Sequence, residues 1–143
     1  MEFITHFHSG MRYLILLGLV ISIVLAIKGI FTSISFSKAQ GLFAKLTVIF
    51  THIQFLLGLV LYFTSGKVVL ENMKAVMSNP ILRFFTVEHA LGMIIAIILI
   101  TIGNAKVKRT LSDRRKHQNI LIYFSISIII IFVSIPWSFM GRF

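Results

Sequence analysis

A chain of 143 residues with 57% hydrophobic and 13% charged residues does not fit a soluble globular domain, where about 25% of residues are charged. The absence of cysteine excludes a disulfide scaffold, thiolate-held iron–sulfur clusters and covalent haem attachment. The net charge of +10 and mean hydropathy of +0.97 point to a lipid bilayer rather than nucleic acid, because the basic residues sit in loops beside apolar spans.

A hydrocarbon core of about 30 Å needs about 20 apolar residues in a helix. Four stretches meet that length or approach it. The first spans about Tyr13 to Ile27, with its helix starting near Phe3. It lacks a basic leader and a small-residue cleavage site, so it reads as a retained helix rather than a signal peptide. The second spans about Leu46 to Phe63, the third about Phe84 to Gly103, and the fourth about Ile120 to Trp137. None alternates apolar and polar residues as a barrel strand does. The expected fold is therefore an all-α integral membrane protein, a four-transmembrane-helix bundle forming a single domain over residues 1–143.

Between the second and third spans, Ser65 to Arg83 is the longest non-apolar stretch. Its Asn79-Pro80 pair signals a turn or a helix start. Its VVLENMKAVM segment has the composition of a short amphipathic surface helix. Lys28, Lys38, Lys45, Lys106, Lys108, Arg109, Arg114, Arg115 and Lys116 fall on one side of the expected topology. Arg12, Lys67, Lys74, Arg83 and Arg142 fall on the other. The positive-inside rule then puts the first and third loops in the cytoplasm and both termini on the outer side. The expected location is a bacterial cytoplasmic (inner) membrane, crossed several times.

Ionisable residues inside a membrane are costly and mark function. His6 and His8 lie at the outer end of the first span. His89 lies six residues past Arg83, roughly 9 Å into the third span at 1.5 Å per residue. His52 lies near the middle of the second span, and His117 at the cytoplasmic start of the fourth. His8 and His89 share a depth. Two imidazoles on diagonal helices of a bundle are the ligand set of a b-type haem, so the expected metal ligands are His8 and His89, holding one bis-histidine haem b per chain; the alternatives are an interfacial His8 in water and a His89 that hydrogen-bonds another helix. Arg12 stands at i+4 from His8 and shares its helix face, a suitable partner for a haem propionate. His89, Gly92, Ala96 and Gly103 form a stripe of small residues, open to a flat cofactor or to a close helix. His52 is a further cofactor-contact candidate, towards a quinone or a polar group across the bundle. Gln54, Thr51 and Gly58 share a stripe expected to join helices. Glu88 reads as a cap of the third helix, with a proton relay to quinone as the alternative. Aromatic residues including Tyr13, Tyr62, Phe84 and Trp137 fit an interfacial belt.

HSGMRYLILL at His8–Leu17 resembles the haem-ligand helix of the heme A synthase family. Gln54-Phe55-Leu56-Leu57-Gly58 resembles the Gln-x-Leu-Leu-Gly pattern of that family's next helix, and EHALGMIIAIILI resembles its second ligand helix. The order of motifs covers most of the chain and is similar to one four-helix half of a family built from two such halves. The resemblance implies His8 and His89 as axial ligands. Two features depart from it: no Glu stands shortly before His8, and Arg12 follows at four residues rather than directly. With a single half present, oxidation of haem O to haem A is not expected. The expected function is a membrane haem b electron-transfer protein linked to quinone or to a respiratory complex. The rival class is a cofactor-free accessory or assembly subunit of a larger membrane complex. A transporter fits less well, because no internal repeat or broken helix is visible.

Overall fold

The structure, a computed structural model, describes residues 2–139. Among these there is no strand, and four helices are long and apolar enough to cross a membrane. They are α1 (Glu2–Thr32), α2 (Lys38–Thr64), α4 (Pro80–Arg109) and α5 (Asp113–Ser134). A short α3 (Met73–Ser78) lies between the second and third of them.

The helices outrun their apolar cores. α1 begins at Glu2, whose carboxylate suits a helix N-terminus. α2 begins at a capping box: the Ser37 hydroxyl accepts from the Gln40 amide, and the Gln40 side chain accepts from the Ser37 amide. α4 runs on through Lys106, Lys108 and Arg109 in its last turn, where cations oppose the helix dipole favourably. α5 stops at Ser134, short of the expected Trp137. The cause is Pro136, which disfavours helical backbone at the residue before it; Ile135 is extended, at φ −76° and ψ 136°.

The expected amphipathic helix over the VVLENMKAVM segment shrinks to α3. Val68 to Leu70 are not helical, and the Val69 amide instead donates to Thr86 Oγ1 at 3.2 Å. Asn72 caps α3 through Ala75 N. Asn79 then caps α4, its Oδ1 accepting from the amides of Ile81 and Leu82 next to Pro80 at the first turn. Asn79→Ala removes both bonds and is expected to cost about 1 kcal/mol, read as a lower thermal midpoint of the detergent-solubilised protein with its absorbance unchanged.

Interior positions recur at three and four residues. On α1 they are Met11, Ile15, Leu19, Ser22, Ala26 and Gly29; on α5 they are His117, Ile120, Phe124, Ser127, Ile131 and Ser134. This alternation is the signature of left-handed bundle packing. α1 packs on α2 and α5, α5 packs on α4, and α4 meets α2 more lightly, so α1 and α4 stand at diagonal corners. α2 is the least buried of the four. The outer surface is apolar as well, as at Leu17, Val24, Leu56, Ile98 and Ile129.

The small-residue stripe on α4 admits a helix. A Cβ at Gly92 would overlap the Ser134 hydroxyl of α5, and one at Gly103 would come within 2.6 Å of Tyr123 Cβ. Ala96 is buried, and its carbonyl lies 3.4 Å from Ser127 Oγ. Of the two openings the sequence allowed, this stripe serves the close approach of α5.

Candidate functional site

His8 and His89 come together inside one end of the bundle. Their ring centroids are 6.5 Å apart, with the ring planes at 68°. Each reaches the interior from its own diagonal helix, and both are half-buried.

A five-residue π-helical turn, Phe84–Glu88, directly precedes His89, whose amide bonds back to the Phe84 carbonyl. Such turns insert a residue into a helix and change which side chains share a face. Five residues of regular α-helix would separate Arg83 from Glu88 by about 140° around the axis. Across the wider turn the two meet, Arg83 Nε donating to Glu88 Oε1 at 2.7 Å. Glu88 is thus half of an ion pair, and the expected cap of the third helix is Asn79 instead. Thr86, in the same turn, is buried. It accepts from the Tyr62 hydroxyl at its carbonyl and from the Val69 amide at its hydroxyl, tying α2 and the preceding loop to this level.

The end of α5 fixes His89. The last carbonyls of a helix have no amide to accept from. His89 Nδ1 lies 2.7 Å from the Ser134 carbonyl. A carbonyl only accepts, so Nδ1 carries the proton and Nε2 keeps its lone pair. A ring nitrogen held by a backbone carbonyl, with the other left as a base, is how metal-ligating histidines are oriented.

His8 lies against α2. A Cβ at Gly58 would fall 3.2 Å from its Cε1, so glycine is what lets α2 close on this ring. Gln54 Nε2 donates to the His8 carbonyl at 2.8 Å, so Gln54 and Gly58 join helices as their stripe suggested. Thr51, on the same stripe, bonds back to the Thr47 carbonyl of its own helix.

Polar satisfaction is poor here. Among the described residues, His8 Nδ1, Arg12 Nε, Gln54 Oε1 and Ser22 Oγ are buried with no hydrogen-bond partner. The first three belong to this one site. Arg12 lies a turn below His8, with its guanidinium 5.0 Å from the Tyr13 ring centroid and Nη2 3.4 Å from the Tyr13 hydroxyl. Buried polar groups are paired in the great majority of cases, and three of the unpaired atoms among the described residues lie together here.

The other histidines are elsewhere. His6 is exposed. His52 is exposed on the outer face of α2, with Nδ1 2.8 Å from the Val48 carbonyl of its own helix; it does not join His8 and His89. His117 is fully buried at the opposite end of the bundle, which its place at a helix start did not foretell. Its Nε2 donates to the Ile34 carbonyl at 3.1 Å, its Nδ1 accepts from Gln40 Nε2 at 3.4 Å, and Phe36 packs on its ring. With both nitrogens engaged, His117 latches the first loop and has no lone pair to offer.

No group of three His, Asp or Glu side chains able to hold a metal ion exists among the described residues. What the site offers is two imidazoles in edge contact, a nearby guanidinium and an apolar surround. Comparison with protein-family models, with curated proteins and with solved structures gives no match.

Proposed function

We propose that this chain is a membrane haem b protein that transfers electrons, with His8 and His89 as axial ligands of one haem. The observation that carries the proposal is the pairing of the two rings at 6.5 Å among three orphaned polar atoms. Two imidazoles bound to one metal at about 2 Å per nitrogen would hold their ring centroids about 6 Å apart. The separation in this bundle fits that geometry. So does the tautomer at His89, which leaves Nε2 as the ligating atom. When bound, haem supplies one-electron redox chemistry. The protein's own residues would ligate it, shield it from water with apolar helices and set a positive charge, Arg12, beside it. No acidic side chain pairs with Arg12 among the described residues, which suits a propionate partner.

Membrane insertion with the first and third loops in the cytoplasm is part of the same proposal. His8 and Ser134, near the two chain ends, meet at one end of the bundle through His89, and the positive-inside rule makes that end the outer one. A reporter fused after Phe143 is expected to read as external, and one inserted at Thr110 as cytoplasmic. The reverse pattern would invert the proposed orientation.

A reduced-minus-oxidised absorption spectrum of the purified chain tests the cofactor. A low-spin b-type spectrum is the expected result. Its absence from correctly inserted protein overturns the proposal in favour of a cofactor-free membrane subunit.

A further inference from the structure

Beside the histidine pair, on the outside of the bundle, lies a cleft of about 300 Å³. Phe84, Ile135, Pro136 and Trp137 give it apolar and aromatic walls, and Arg83 and Glu88 place an ion pair on it. The volume falls at the lower end of small-molecule sites, about 300–1,000 Å³. We propose that this cleft binds the head group of a quinone or quinol. The choice of a quinone rests on the electron-transfer reading of the neighbouring histidine pair.

Three observations point to that chemistry. First, a quinone ring is flat and carries carbonyl acceptors at opposite edges, which become hydroxyl donors in the quinol. The cleft offers both complements. Arg83 has five N–H donors, of which Nε serves Glu88 and Nη1 serves the Met77 carbonyl at 3.2 Å. The Glu88 carboxylate accepts. Second, the aromatic walls are held in place. Trp137 Nε1 donates to the Phe132 carbonyl at 2.7 Å, and its ring stands 5.1 Å from that of Phe132. Third, Phe84 belongs to both sites: its ring lines the cleft and lies 6.0 Å from the His89 ring. The π-helical turn makes the arrangement possible. It brings Arg83 and Glu88 together on the cleft while His89, the next residue, turns inward.

The test is photolabelling of the full chain in phospholipid nanodiscs with a short-tailed azidoquinone, mapped by mass spectrometry. Label is expected within residues 80–88 and 133–138, and excess unlabelled short-tailed quinone should suppress it. Arg83→Leu and Glu88→Gln each remove a charged hydrogen-bonding group and are expected to reduce labelling about tenfold. Glu88→Gln keeps the side-chain shape, and an unchanged thermal midpoint in that variant excludes a folding effect. Label spread along lipid-facing residues, or label that neither competitor nor variants change, would overturn the assignment. His8→Ala separates the two proposals, because it should lose the haem spectrum and keep the label. Haem with no label in the cleft sinks this inference alone. Label with no haem in the wild-type chain sinks the electron-transfer reading alone.

Discussion

Replacing either His8 or His89 with alanine is expected to remove the low-spin haem spectrum, or convert it to a high-spin form, in protein that still inserts and folds. Each ring supplies one axial nitrogen, and no other imidazole can take its place. His117 has both nitrogens engaged at the far end of the bundle. His52 faces outward from α2, and His6 is exposed on α1. The variants His6→Ala and His52→Ala should therefore leave the spectrum intact. Loss of haem on replacing His52 alone would show that the ligand pair is misassigned. Arg12→Ala should retain haem and lower its potential, on the order of tens of millivolts, because a nearby cation favours the reduced, less positive iron–porphyrin. A potential that does not move would place Arg12 away from the cofactor.

A bulky residue at Gly29 should have the largest effect on folding. A mere Cβ at Gly29 would overlap the His117 ring, and that ring is fully buried and pinned by Ile34 and Gln40. It has no room to retreat. Gly29→Leu is expected to cost about 1–3 kcal/mol or more through overpacking, seen as a marked fall in the thermal midpoint in detergent and faster cleavage in residues 33–37. Gly10→Leu is the control, since nothing lies within 4 Å of a Cβ there. Gly29→Leu combined with His117→Ala should recover part of the loss, because neighbours that share a clash are not additive. Equal midpoints for the Gly10 and Gly29 variants would mean that α1 and α5 do not approach as described.

The number and order of the long helices were legible in the sequence because a bilayer needs a fixed length of apolar residues. Three of the four apolar runs lie wholly within their long helices, and the fourth overshoots α5 by the three residues after Ser134. The starts of α1 near Phe3 and of α4 at Asn79-Pro80 were legible too, but the Ser37 cap and the basic last turn of α4 were not, since they act through local hydrogen bonds and the helix dipole rather than hydropathy. The interior face of each helix was also hidden. In a soluble bundle the outer face is polar and the stripe of apolar residues reveals the inner one. Here both faces are apolar, and the inner one is marked instead by small and polar residues such as Ser22, Ala26, Gly29 and Ser127.

By itself, the sequence determined that His8 and His89 share a depth on two helices with Arg12 nearby. Only the tertiary structure decided that the two rings meet edge-on at 6.5 Å, that Ser134 sets the tautomer of His89, and that His52 points away. It also decided that Glu88 pairs with Arg83 across a π-helical turn. The physical reason is rotational. Depth follows from counting residues at 1.5 Å each, but each residue also turns the helix by about 100°. One inserted residue in a π-helical turn, or a helix that ends three residues early at a proline, changes which side chains meet without changing the hydropathy at all.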